Sequence, residues 1–154
     1  GEKNSESQLR ELQKTQKQFT LQVIPIIVSK TDDVVPTISN IMGNIDALYL
    51  TGSSIIGTSA STIVSIANTA QVVTITHLDD LVAKGALLGV CANSYRVGRS
   101  AGKKAAQILR GAKPASIPIE SAKNLDLILN KKTAQAGHFH VPPSFMKRVG
   151  KIVE

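Results

Sequence analysis

The side chains that could do chemistry fall into four short polar groups, each directly after an apolar run. These groups occupy residues 29–33, 51–54, 77–80 and 93–95. In the second group, Thr51, Ser53 and Ser54 precede a stretch with helical spacing. Their hydroxyls and the free N–H groups of a helix start could hold a carboxylate or a phosphate. The group lacks the Gly-x-x-x-x-Gly-Lys pattern of nucleotide hydrolases, and helix capping is the simpler alternative for either serine.

His77 and the two aspartates after it could form an acid–base pair or a metal site. No second histidine lies at metal-ligand spacing, and Asp79 and Asp80 could equally cap a helix. A triad of Ser53, His77 and Asp80 lacks the Gly-x-Ser-x-Gly turn that exposes a nucleophilic serine. The sequence therefore predicts a protein that is not an enzyme, without catalytic residues, a metal site or a cofactor.

Composition narrows the class of protein further. Hydrophobic residues make up 42% of the 154 residues but aromatic residues only 3%, so the core must be aliphatic. So few rings argue against an RNA-binding module that stacks bases. Cys91 is the one cysteine, which excludes a disulfide framework.

The positive charge lies in the last part of the chain. Residues 94–154 carry twelve Lys and Arg against three Asp and Glu, whereas residues 1–93 carry six against eight. Arg96, Arg99 and Lys103 fall on one stripe of a strongly helical segment, which would suit a DNA groove or the outer face of a surface helix. No helix-turn-helix partner is visible, so a solvated basic face is favoured and no nucleic-acid partner is expected.

Strands alternate with helices along the chain, and this pattern predicts an α/β fold with a parallel, doubly wound sheet. In such sheets, ligands bind beyond the carboxyl ends of the strands, where the polar groups lie. Strands are predicted at 21–28, 46–50, 72–76, 86–92 and 125–129, and helices at 6–19, 34–42, 55–70, 79–83 and 94–110, with a short helix and tail at 131–154.

Six stretches in consistent order resemble the ABC-transporter substrate-binding proteins of the amino-acid-binding branch, which have the type I periplasmic binding fold. The resemblance runs from about residue 4 to 146 and covers the second half of the family's chain. The stretches are NSESQLRELQK from residue 4, TDDVV from 31, NIDALYL from 44, KGAL from 84, NSYRVGR from 93 and ILRGAKPASIP from 108.

The resemblance implies one lobe of a two-lobed clamshell with a ligand in the cleft. It places the second-lobe core at 1–93, and at 94–122 a crossover helix and linker that would pack on the absent first lobe. The return strand and C-terminal tail follow at 123–154, and the lobe's opening strand is expected before Gly1. An incomplete lobe would expose apolar surface, so a homodimer or strand-exchanged dimer is also expected.

By position, the resemblance assigns ligand contacts to the polar groups already selected. Ser53 and Ser54 would donate to the ligand carboxylate, Asp79 or Asp32 would accept from its amine, and Tyr95 would stack on an aromatic side chain. The family often has Asp-Asn-Thr where this chain has Gly-Ser-Ser at 52–54, which removes a carboxylate expected to meet the ligand's ammonium. The expected ligand-binding residues are Thr31, Asp32, Gly52, Ser53, Ser54, Asp79, Asn93 and Tyr95.

The function implied is the extracytoplasmic solute-binding component of an ABC importer. Its ligand would be a small amino-acid-like molecule, including an aromatic one, and its protein partner an ABC permease. A ligand-sensing regulatory domain of the same fold is the alternative, because fold does not fix function.

Overall fold

The computed structural model describes residues 2–154 as an α/β arrangement with one mixed sheet. The helices are α1 (Lys3–Phe19), α2 (Val34–Ile41), α3 (Ser54–Thr69), α4 (Asp79–Ala83), α5 (Ser94–Leu109), α6 (Lys131–Ala136) and α7 (Pro143–Met146). The strands are β1 (Ala47–Leu50), β2 (Val73–Thr76), β3 (Leu88–Ala92), β4 (Leu125–Asn130) and β5 (Lys151–Val153). Short 3₁₀ turns occupy Thr31–Asp33, Met42–Asn44 and Pro114–Ser116.

The five strands described within residues 2–154 follow the chain order β1-β2-β3-β4-β5 across the sheet. β1, β2 and β3 are parallel, as predicted. The predicted α/β fold with a mostly parallel sheet is confirmed, and β4 is the exception, since it is antiparallel to β3 and parallel to β5. The reason is the connection: α5 leaves the carboxyl end of β3, and the chain re-enters the sheet at that same end.

The sheet separates two apolar layers. Leu48 and Leu50 of β1 face α2 and α3, where Val34, Ile38 and Ile63 complete the main core. On the opposite face, Leu129 of β4 packs with the buried Leu87 and with Ala134 of α6. Both layers are almost wholly aliphatic, as the composition predicts.

The apolar segment 21–28 was predicted as a strand, and that prediction is wrong. Within residues 2–154 it pairs with no strand; the Val23 N–H donates instead to Gln16 Oε1 at 2.8 Å. Ile26 and Val28 still pack against the main core. A strand is stable only as part of a hydrogen-bonded ladder, and β1, at the edge of this sheet, pairs with β2 alone.

Two element ends also differ from prediction. α1 begins at Lys3 with Glu2 as its N-cap residue, three residues before the predicted start at residue 6. The predicted tail contains β5, whose three residues are too few for a recognisable strand pattern. None of the helices in residues 2–154 combines the length and apolar character needed to cross a membrane.

α5 is long and amphipathic, yet none of its residues is buried. Leu109 is 88% exposed and Tyr95 is 77% exposed, and Val97 and Ile108 are also open to solvent. Asn93 caps its start and Gly111, with φ near 100°, follows its end. The helix is therefore well delimited locally and has little packing within the described chain.

Candidate ligand-binding site

The loops after β1 and β2 lie at the carboxyl edge of the sheet, where parallel topology brings them together. Ser53 is the N-cap of α3, and its Oγ accepts from the Ile56 N–H at 3.5 Å. Thr76 links the two loops, because its hydroxyl donates to the Leu50 carbonyl and accepts from the Leu78 N–H, each at 3.2 Å. The last buried side chain of β2 thus holds both loops in position.

The start of α1 is bound to the loop that follows β1. Asn4 Nδ2 donates to the Gly52 carbonyl at 3.2 Å, and Ser5 Oγ donates to Thr51 Oγ1 at 3.2 Å. α1 buries none of its residues fully. Its position therefore depends strongly on these polar contacts near its N-terminus.

The Glu2 carboxylate lies at the N-terminus of α3. Its Oε1 accepts from the Ser54 backbone N–H at 3.0 Å and from Ser54 Oγ at 2.7 Å. These two hydrogen bonds lower the pKa of Glu2 below its ordinary 4.5. The helix start that the sequence predicts as a carboxylate-binding position thus holds a carboxylate of the same chain.

His77 lies between α1 and β1 rather than in an acid–base pair. Its Nδ1 is 2.9 Å from the Tyr49 hydroxyl and its Nε2 is 3.4 Å from Gln8 Nε2. The Tyr49 and His77 rings stack with centroids 6.0 Å apart. Burial lowers the pKa of His77, against the opposing effect of Asp80, and burial raises the pKa of Tyr49. His77 is therefore neutral at pH 7 and serves to join α1 to the sheet.

The loop after β3 is organised separately. Asn93 Oδ1 accepts from the Arg96 N–H at 3.0 Å, and Asn93 Nδ2 donates to Asp126 Oδ2 at 2.8 Å. An Arg96 guanidinium nitrogen lies 3.9 Å from Asp126 Oδ1. Most of the polar capacity of Asn93 is thus used in tying α5 to β4, while the ring of Tyr95 is open to solvent.

Three of the predicted ligand-binding residues, Thr31, Asp32 and Asp79, lie near the site but make few contacts with its loops. Thr31 and Asp32 are exposed in the 3₁₀ turn before α2, and no side-chain hydrogen bond within residues 2–154 joins them to the loops after β1 and β2. Asp79 is half-buried in the first turn of α4, whose N-cap is Leu78, so the alternative of a side-chain aspartate cap is wrong. In the part of the chain described here, no cluster of three His, Cys, Asp or Glu could hold a metal ion.

Sequence reasoning missed several members of this site. Glu2, Asn4, Ser5, Gln8 and Tyr49 all contact the selected loops, yet none was assigned a contact role. The rule applied to the sequence selects polar residues that follow a strand, and it could not reach the start of α1. The resemblance did cover Asn4, Ser5, Gln8 and Tyr49, which was the one available signal.

Comparisons with known proteins agree on the kind of molecule. The family model described as ABC transporter substrate binding protein matches residues 1–153. A tyrosine-binding protein of Clostridioides difficile (strain R20291) is 29% identical over 137 residues, covering 88% of this chain and 39% of that protein. The chain thus spans well under half of that relative's length.

Solved structures share the fold. An ABC domain from Streptococcus pneumonia in complex with L-Trp superposes with a TM-score of 0.83 at 26% identity, covering 97% of this chain and 51% of that one. A ligand-free, open substrate-binding protein with adhesive properties from Clostridium difficile gives a TM-score of 0.83 at 24% identity, covering 100% and 51%.

A conserved domain protein from Vibrio cholerae gives a TM-score of 0.84 at 21% identity, covering 97% of this chain and 51% of that one. At these low identities, the Vibrio and Clostridium structures speak for the fold alone. The chain spans about half of each of the three solved structures. Because the family model covers nearly every residue, this chain belongs to the ABC transporter substrate-binding protein family, whose members bind substrates and are not enzymes.

Proposed function

We propose that this chain is one lobe of an extracytoplasmic protein that binds an amino-acid-like solute and delivers it to an ABC permease. The observation that carries this proposal is the gathering of polar groups where β1, β2 and the N-termini of α1 and α3 meet. The Asn4 amide, the Glu2 carboxylate and the start of α3 lie there side by side, joined by hydrogen bonds. Such an arrangement suits a small ligand that carries opposite charges.

An aromatic amino acid is the ligand class proposed. The similar proteins include one named for binding tyrosine and one solved with L-Trp. Tyr95, with its ring 77% exposed beside the third loop, is available for stacking on an aromatic ligand. Thr31, Asp32, Gly52, Ser53, Ser54, Asp79 and Asn93 remain the other proposed contacts.

The division of the chain proposed from the resemblance is supported by the exposure of α5. Residues 2–93 and 123–154 supply the sheet and its covering helices, whereas residues 94–122 pack little on them. An amphipathic helix without buried residues is expected to gain stability from a further partner. A first lobe that packs on this helix would supply the second wall of the cleft.

Calorimetric titration of the longest natural form of the protein with the common amino acids tests the proposal. Tyrosine or tryptophan should release heat, and Tyr95→Ala should weaken binding by about tenfold, the effect of losing one aromatic stack. Tyr95→Phe, which keeps the ring that would stack and removes only the hydroxyl, is the matched control. Absence of heat with every amino acid would refute the ligand class.

Dimerisation is proposed for the chain when it is isolated. β1 presents an unpaired edge and α5 an uncovered apolar face within residues 2–154. A second copy could cover both by pairing edges or exchanging strands. Light scattering should give twice the chain mass of 16.3 kDa at micromolar concentration, and a strictly monomeric mass would contradict the proposal.

A further inference from the structure

The helices α2 and α3 contain no charged residue. Residues 34–76, which include both helices, carry a single charge on Asp46, whereas 19% of the whole chain is charged. Asp46 precedes β1 and lies in neither helix. A helix on the surface of a globular protein normally turns charged and polar residues toward water. The outer face of α2 and α3 is therefore unusual for a surface that stays solvated.

This uncharged face is exposed, and part of its hydrogen-bonding capacity is unused. α3 packs one side on the main core, which leaves Ser61 and Ser65 exposed on the opposite side. The hydroxyls of Thr58 and Thr69 donate to carbonyl groups of the preceding turn. Residues 2–154 supply no such partner to the hydroxyls of Ser61 and Ser65, so both serines can bond to a second molecule.

A groove of about 320 Å³ lies on this face where α2 meets α3. Its lining combines apolar side chains with hydroxyl groups, from Ser39, Met42, Ser65, Ile66, Thr69 and Ala70. On the same helix as Ser39, Val35 is 48% exposed. Depletion of charged residues is what distinguishes the core of a protein–protein interface from the rest of a protein surface.

Charged residues border the face instead of entering it. Asp33 precedes α2, and Asp46 precedes β1. On the side of α4, Lys84 lies 3.8 Å from Asp80, and its Nζ donates to the Gly57 carbonyl of α3 at 3.1 Å. An uncharged centre within a charged border matches the core and rim of an interface.

The charge of the chain favours a second copy as the occupant of this face. The net charge is +7, and residues 94–154 carry twelve Lys and Arg against three Asp and Glu. Two copies repel each other in most orientations, and least where the facing surfaces carry no charge. A nucleic acid or an acidic protein would instead select the basic residues of α5, because α2 and α3 offer no cation.

We infer that α2 and α3 form a self-association surface through which two copies of the protein pair. The inference goes beyond the proposed function, and it differs from the dimer proposed for the isolated chain, because it uses neither the β1 edge nor α5. The 16 residues of α3 span about 24 Å. With α2 beside it, the face covers roughly 400 Å², which is below the roughly 800 Å² per partner of a stable complex. The dimer should therefore be weak and reversible.

Sedimentation velocity on the longest natural form of the protein, from about 10 to about 500 µM, tests the inference. The weight-average mass should rise toward twice the monomer mass with concentration. Raising NaCl from about 50 to about 500 mM should strengthen association, because salt screens the repulsion between two positive copies. Ser61→Lys should weaken association by at least about tenfold, because it introduces like charges into the contact. Ser65→Lys, one helical turn further along, should have the same effect.

Ser144→Lys is the matched control, since it adds the same charge at an exposed serine of α7. α7 precedes β5, which lies at the opposite edge of the sheet from β1. This variant should associate within about twofold of wild type, the scale of an exposed charge. Urea midpoints equal to wild type would show that the lysine variants are folded.

Two results would overturn the inference. Equal association of Ser61→Lys and Ser144→Lys would show that the copies meet through another surface. A natural form that stays monomeric at the highest concentration would leave this face to a different partner. Neither result depends on whether any amino acid releases heat, so failure of the proposed ligand class is distinguishable from failure of the inferred dimer.

Discussion

Replacing Thr76 by valine should loosen the two loops that form the candidate site. Thr76 is 1% exposed, and its hydroxyl connects the Leu50 carbonyl to the Leu78 N–H. Valine has nearly the same shape but neither donates nor accepts. The change therefore isolates two hydrogen bonds while leaving the packing volume almost constant.

The two hydrogen bonds of Thr76 determine how much stability the valine variant should lose. An unpaired Leu78 N–H costs about 1–2 kcal/mol, and loss of the bond to Leu50 costs about 0.5–1.5 kcal/mol. The free energy of unfolding should therefore fall by about 2 kcal/mol. For a chain of this size, that loss corresponds to a decrease in Tm of about 6 °C.

Urea denaturation should show a lower midpoint with an unchanged slope. Hydrogen exchange at the Leu78 amide should accelerate by at least about tenfold. Thr76→Ser is the control, because it removes a methyl group, at about 1 kcal/mol, but keeps the hydroxyl and with it the protection of the Leu78 amide. A valine variant with wild-type stability and unchanged exchange at Leu78 would refute the argument.

Three further outcomes follow from the packing and the titrating groups. Gly89→Ala should destabilise the chain by about 1–3 kcal/mol, because the added Cβ would lie 2.5 Å from Val82 Cγ2 and 2.8 Å from Cys91 Sγ. Gly43→Ala is the control and should leave the stability unchanged, because a Cβ there would have nothing within 4 Å. Equal urea midpoints for the two variants would contradict the packing argument. The His77 ring, followed by NMR, should titrate below its ordinary pKa of 6.5, because burial depresses that pKa. The stability that the neutral ring contributes is then present above pH 6.5 and lost as the pH falls through the folded pKa. A midpoint at 6.5 would show that the ring is solvated, and a higher one that the charge of Asp80 outweighs burial. Cys91 is 2% exposed, and burial raises the pKa of its thiol to about 11. A thiol reagent at pH 8 should therefore react with Cys91 only after denaturant is added. Rapid labelling of the folded chain would show that the core around β3 opens.

The order and type of most elements could be predicted because their signals are local. Ser53 and Asn93 mark the starts of α3 and α5 by capping, and Gly111 marks the end of α5 through its positive φ. Aliphatic runs placed β1, β2, β3 and β4 to within two residues of their observed ends.

The failures all involve information that is not local. Segment 21–28 has the composition of a strand but no ladder to join in the described chain. The direction of β4 depends on where the chain re-enters the sheet, which hydrophobic periodicity does not encode. The bond between Glu2 and Ser54 joins residues 52 positions apart, so only the folded topology reveals that α1 completes the site.

The pairing of β3 with β4 makes residues 93–124 an excursion from what is otherwise a hairpin. Ala92 and Leu125 are register partners, and the Asn93–Asp126 hydrogen bond of 2.8 Å closes the base of the excursion. Compared with a four-residue turn, closing a loop of this length costs only about 2 kcal/mol more. The sheet should therefore survive replacement of α5 and its linker by a short turn, so that a minimal lobe could be made without them.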